Sequence, residues 1–261
     1  MIKSLNTAAT GMLAQQTNMD VIANNIANVS TTGFKKGRAE FEDLVYHNLK
    51  DPGQASGLNS VTPTGVQTGL GVRTAAIQKD FTGGSAVLTK NPLDLQIEGA
   101  GFFQVRTPDG EIAYTRDGSF KKDGNGRVVD KNGNTLIPEI VIPENSISLE
   151  ITPSGEVKTM HELNGEPQVL GQIDIVNFIN PAGLKSMGKN LFNPTVASGQ
   201  PNASRPGTVG LGFLAQGELE SSNVNIVDEM VNMISAQRAY ETNSKVVQTS
   251  DQMLQTAVNV K

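Results

Sequence analysis

Residues able to carry chemistry are few in this chain and do not converge. His47 and His161 sit in unrelated contexts and there is no cysteine. A zinc site needs about four ligands at short spacings, so both histidines read as surface or structural. In DGNGRVVDKNGN (123–134), Asp123 and Asn125 fit the first and third positions of a calcium loop. Arg127, Val128 and Asn134 stand where an acceptor, a glycine and a final glutamate are required, so the template fails. Asp-Gly and Asn-Gly turns between strands explain the stretch instead. EGAGFF (98–103) and GLGV (69–72) contain Gly-x-Gly, but neither follows a strand and opens a helix, as a dinucleotide site requires. There is no nucleophile elbow and no P-loop. The reading is a protein without catalytic residues, cofactor or metal.

Lys35, Lys36 and Arg38 form a short basic run. Nucleic-acid or lipid binding needs more charge and, for single strands, interleaved aromatics. The net charge is −5, which argues against both. The run is expected on a solvated face, pairing with Glu40, Glu42 and Asp43. Asn28-Val29-Ser30 and Asn202-Ala203-Ser204 are formal glycosylation acceptors. However, MIKSLNTAATGMLAQQ lacks the apolar core of a secretory signal. No apolar run approaches the ~20 residues of a membrane helix, so no membrane insertion is expected. The lack of cysteine suits passage into an oxidising compartment.

The two ends carry pattern rather than chemistry. From Ser4 to about Asn28, apolar residues fall at Leu5, Met12, Met19 and Ile26, one every seven residues. Ala8, Ile22 and Val29 lie three residues after three of those rungs, and Gln15 interrupts that second seam. Ser4 is the expected N-cap. From about Asn223 to Val260 a second ladder runs through Ile226, Met233, Tyr240, Val247 and Leu254, with neither Pro nor Gly. Such spacing predicts two long helices packed along their lengths, coiled-coil-like. At ~1.5 Å per residue they would be about 37 and 55 Å long. Two helices cannot fully bury two stripes on each other. The nine ladder residues serve either an ordinary hairpin of the two helices or an interface for assembly with further copies, and spacing alone does not separate the two.

The middle has the opposite habit. FFQVRTPDGEIAYTRDGSF (102–120) is two β-rich runs around Asp109-Gly110, a strong hairpin signal. More Asp-Gly and Asn-Gly pairs follow, up to Asn164-Gly165, and Leu136–Ile142, Ile147–Ile151 and Val169–Ile179 read as strands. DPGQASGLNSVTPTGVQTG (51–69) and SGQPNASRPGTVG (198–210) read as extended connectors. The expected fold is α+β. Paired terminal helices (1–30 with 223–261) flank connectors (31–75 with 206–222) and an inserted antiparallel β domain (76–205).

Three long motifs in order carry a resemblance. QQTNMDVIANNIANVSTTGFKKGRAEFEDLVY (15–46), GFFQV (101–105) with YTRDGSF (114–120), and SNVNIVDEMVNMISAQRAYETNSKVVQTSDQMLQ (222–255) resemble the bacterial flagellar rod and hook proteins. Length and the AQQTNMDVIANN and FEDLVY stretches are similar to distal rod members rather than hook members. YHNLKDPGQASGLNSVTP (46–63) resembles a segment linked in that family to a straight, stiff rod. The resemblance implies a structural, self-assembling subunit, exported unfolded through the flagellar type III channel without a cleavable signal. It would polymerise helically into the hollow driveshaft of the basal body across the periplasm. Its helices would line the inner tube and its β domain would face outward. Implied partners are further copies, proximal rod proteins, hook or hook-junction subunits, and the P and L rings. The stretch NNIANVSTTGFKK, with Asn24, Asn25, Asn28, Thr31, Gly33 and Phe34, is then the joint where the first helix ends. Two alternatives stand beside this. One is a hook or proximal rod subunit. The other is a secreted adhesin or carbohydrate-binding β module, which would need exposed aromatics among Phe102, Phe103, Tyr114 and Phe120.

Overall fold

The computed structural model describes residues 2–53, 55–57, 60–61, 63–160, 167–208 and 210–259. His161, Asn164-Gly165, Val260 and parts of the 46–63 segment lie outside them. The chain divides into two units: residues 1–27, 37–78 and 225–261, and residues 28–36 with 79–224.

The first unit is built on two helices, α1 (Ile2–Ala27) and α2 (Ile226–Asn259). α1 begins two residues before Ser4, so Ser4 lies inside the helix rather than capping it. α2 starts where Asn225 supplies the cap: its Oδ1 accepts from the Val227 N–H at 3.1 Å. Asp228 and Glu229 follow in the first turn, where the helix dipole favours acids. The helices run antiparallel. Asn25 Nδ2 donates to Glu229 Oε2 at 3.2 Å, and Gly11 lies so close to Asn243 that a Cβ would sit 2.9 Å from its Nδ2. The two contacts are fourteen residues apart on each helix, two seven-residue repeats. Strands Gly37–Asp43 and Val72–Lys79 pair in this unit, as do Tyr46–Lys50 and Val66–Gly69. The latter ribbon is exposed along Tyr46–Lys50, and His47 lies on it.

The second unit is the expected antiparallel β domain. Its central strand, Phe102–Arg106, pairs with Ile112–Thr115 through the Asp109-Gly110 hairpin, in the register Ala113 to Val105. Its other edge is shared by Thr135–Ile137 and Ile175–Asn177. The run expected as one strand over 169–179 is two, Gln168–Gln172 and Ile175–Asn177, in different sheets. Between them the Ile173 N–H turns aside to the Gly155 carbonyl. Alternation along the central strand separates two cores. Phe103 and Val105 enter an aliphatic one with Leu136, Ile151, Val157 and Ile175. Phe102 enters an aromatic one with Tyr114, Phe178, Leu184 and Phe192. There the rings meet edge to face, Tyr114 and Phe178 at 4.9 Å between centroids.

Candidate functional site

No described group of titratable side chains forms a reactive centre, and the features that invite function are the helix surfaces and the joint. Along the helix pair the buried residues are small or polar with one large aliphatic, Ile22: Ala8, Ala14 and Asn25 on α1, with Glu229, Ala236 and Ser250 on α2. Where Gly11 meets Asn243 the helices approach closely, since a Cβ on Gly11 would sit 2.9 Å from the Asn243 amide. Leu5, Met12, Met19, Ile26, Met233, Val247 and Leu254 flank the seam half-buried, and Ile226 and Tyr240 are exposed. On the opening turns of α2, Val227, Met230, Val231 and Ile234 also lie exposed, Val227 by 67%. Their spacing (i, i+3, i+4, i+7) is that of a helix face prepared for another helix.

The joint stretch divides between the two units. In the first, the buried Asn25 side chain acts as a surrogate strand for Gly37: its Nδ2 donates to the Gly37 carbonyl and its Oδ1 accepts from the Gly37 N–H, both at 2.8 Å. Asn24 is exposed on the last turns of α1. In the second unit, the Thr31 hydroxyl donates to Asn28 Oδ1 at 3.2 Å, and the Thr31 N–H to the Asn28 carbonyl. These bonds close a turn just after α1 ends at Ala27. Gly33 has φ +67°, and a Cβ there would lie 2.7 Å from the Asp117 nitrogen. No other residue fits. Phe34 is buried beneath the Lys79 ammonium, 4.5 Å from the ring centroid.

Lys35 corrects the sequence reading. It does not lie on a solvated face but is 1% exposed, and its partner is Glu220 Oε1 at 2.6 Å. It also donates to the Thr82 carbonyl at 2.7 Å. Glu220 Oε1 accepts from the Gly84 N–H as well, at 2.9 Å. Arg116, equally buried, has Nη1 3.5 Å from Glu220 Oε2 and donates to the Ile97 and Gly99 carbonyls. One carboxylate thus serves two buried cations. Burial holds Lys35 below its ordinary value, opposed by Glu220, and acts likewise on Arg116. Lys36 pairs with Asp80 at 3.7 Å, not with the nearby acids. Arg38 does meet Glu40, at 2.9 Å, and Glu42 pairs with Arg73. The partner of Lys35 lies 185 residues away, beyond any local pattern.

The DGNGRVVDKNGN stretch forms two turns: Asp123 is bonded to Arg127, and Asp130 accepts from the backbone of Asn132 and Asn134. Phe102, Phe103, Tyr114 and Phe120 are all buried, which removes the exposed sheet face that an adhesin reading needs.

Comparison with known proteins gives three family matches in order. Residues 5–35 match the flagella basal body rod protein family. Residues 96–159 match the D1 domain of the flagellar hook protein FlgE/F/G family, and residues 215–260 the flagellar basal body rod FlgEFG protein C-terminal family. The flagellar basal-body rod protein FlgG of Buchnera aphidicola subsp. Acyrthosiphon pisum is 50% identical over 255 residues, 98% of each chain. That of Borreliella burgdorferi is 51% identical over 263 residues, 100% of this chain and 99% of its own. The flagellar hook protein FlgE of Escherichia coli is more distant, 24% identical over an alignment of 419 residues.

Proposed function

The chain belongs to the family of flagellar basal-body rod proteins that these relatives represent, and we propose that it is a structural subunit of the distal rod. The observation that carries this is full-length similarity at about half identity to rod proteins, against 24% to a hook protein. The subunits self-assemble helically through residues 1–30 and 223–261 into the hollow shaft that passes motor torque to the hook. The apolar faces left open on the helix pair supply the contacts. Leu5, Met12, Met19 and Ile26, with Ile226, Met233, Tyr240, Val247 and Leu254, border them. A pair whose buried side chains are Ala, Ser, Asn and Glu with one large aliphatic, Ile22, gains little by closing alone, since burial returns ~25 cal/mol per Å² of apolar surface. Further copies complete it.

The β domain serves as the outer body of the subunit. Proximal rod proteins, hook or hook-junction subunits and the P and L rings are its neighbours in the periplasm, reached by type III export. The 46–63 segment contributes the stiffness of a rod rather than a hook. Electron microscopy of the concentrated purified chain tests the reading. Straight hollow rods are expected, and persistent monomers at concentrations that saturate assembly of a related rod protein would overturn it. Deleting residues 46–63 should leave rods that bend more.

A further inference from the structure

Four times the chain passes between the residues of the helical unit and those of the β unit: at 27/28, 36/37, 78/79 and 224/225. Inside the β unit, three of these passages are tied to one another by a single side chain. Asn223 Oδ1 accepts from the Lys36 N–H at 2.8 Å. Its Nδ2 donates to the Asp80 carbonyl at 2.9 Å and lies within reach of the Thr82 carbonyl and hydroxyl. The Asp80 N–H closes the ring onto the Lys36 carbonyl at 2.9 Å. A few residues away, the passage that begins at 28 is held by the Gly33 N–H on the Glu220 carbonyl at 2.8 Å and by the Lys35–Glu220 ion pair. Lys79 Nζ adds a bond to the Lys35 carbonyl at 3.0 Å. An asparagine and a carboxylate thus gather segments from three distant parts of the sequence at one point.

We infer that Asn223, seconded by Lys35 and Glu220, is a positioning residue of the assembled rod: it fixes the points where the chain leaves the β unit, and the rod's bending stiffness depends on it. This rests on the rod reading above. Separate polar connectors flex independently. Connectors bonded to one another at their roots move as one, so a transverse load cannot be taken up by one tether at a time. The ion pair adds geometry more than stability, because desolvating buried charges offsets most of their attraction. Asn223 is only half-buried, so water can replace its bonds when it is removed. Its loss therefore softens the node without unfolding the unit.

The test compares rods grown from the unsubstituted chain, Asn223→Ala and Asn223→Asp, with persistence length read from electron micrographs and β-unit melting followed on each monomer. Asn223→Ala should shift the melting temperature by only a few degrees and lower the persistence length at least twofold. Asn223→Asp keeps the acceptor for Lys36 and loses the donor to Asp80, so it should fall between. A residue that merely stabilised the fold would lower melting and yield but leave the surviving rods as stiff as before, and that result overturns the inference. Should Asn223→Ala form no rods, the Asp variant decides in the same way, and failure of both to assemble also overturns it. If the unsubstituted chain forms no rods, the rod reading itself falls, a different result from rods of unchanged stiffness.

Discussion

Between α1 and α2 the buried side chains are alanines, a serine, an asparagine and a glutamate with a single large aliphatic, Ile22. Inside the β unit they are Phe102, Phe103, Val105, Phe120, Leu136 and Ile175, nearly all without contact to water. The contrast is not one of composition, because the helices are as rich in Met, Ile and Val as the strands. It lies in where those residues point. Alternation over short antiparallel strands lets a sheet turn every second side chain into a shared interior. Two helices that approach closely where Gly11 meets Asn243 bury, among their described large side chains, only Ile22. The β unit buries its large side chains, whereas the helical unit leaves Val227, Met230, Val231 and Ile234 exposed.

The strongest way to break this comparison is to attack the self-sufficient side. Phe103→Ala removes a fully buried ring from the aliphatic core, at a cost of about 3–5 kcal/mol. For a unit of this size that is roughly a 10–15 °C fall in melting temperature, readable by near-ultraviolet circular dichroism. A small change would mean that the β unit, too, depends on partners.

Next comes the buried charge cluster. Glu220→Gln leaves Lys35 and Arg116 uncompensated in the interior and should cost about 3–5 kcal/mol. Lys35→Met leaves Arg116 and Glu220 as a neutral pair, and the Thr82 carbonyl keeps Asn223 Nδ2 within reach, so only about 1–2 kcal/mol is expected. Equal effects would show that the cluster does not act as one anion between two cations. The pH dependence has a definite sign. Burial lowers Lys35 in the folded chain from 10.5, so between that lowered value and 10.5 the unfolded chain binds more protons. Stability contributed by this group therefore rises with pH across that window. Lys35→Met should flatten the rise in denaturant titrations at alkaline pH. Tyr114, held up by burial, works in the opposite direction above about pH 10.

Gly33→Val stands next. The backbone at φ +67° costs about 1–3 kcal/mol for a β-branched residue, and the Cβ meets the Asp117 backbone. The expected result is a clear loss of β-unit melting temperature together with misassembled or absent rods. Normal rods would place the joint elsewhere.

How far the sequence foretold all this depends on the range of the interaction. Seven-residue spacing exposed both helices, and Asp109-Gly110 exposed the hairpin, because those signals are local. Gly33 entered only through the resemblance of its motif. Lys35 was not, since its neighbours Lys36, Arg38, Glu40 and Glu42 look like a solvated face, and Glu220 is 185 residues away. Asn223 was hidden likewise, an unremarkable polar residue before a helix until the fold brings Lys36 and Asp80 to it. Along the helices large apolar residues dominate a periodicity argument, whereas most of the side chains buried there are small or polar.

The smallest expected effect on the monomer is also the one that separates the two regions most sharply. Met233 and Leu254 border the seam half-buried, so Met233→Asp or Leu254→Asp should cost the isolated chain about 1 kcal/mol or less and leave β-unit melting unchanged. On the proposed rod reading the same positions meet another copy, where an aspartate would be desolvated without a partner at several kcal/mol per contact. Repeated along a helical lattice, that is enough to abolish rods seen by electron microscopy. Val227→Asp, on the outward face of α2, should do the same with still less effect on the monomer. If Val227→Asp blocks assembly and Met233→Asp does not, the outward stripe carries the contact between copies and the ladder serves only the pair. If the reverse holds, the neighbouring copy inserts at the edge of the seam, and the apolar opening turns of α2 face something other than the rod's own subunits.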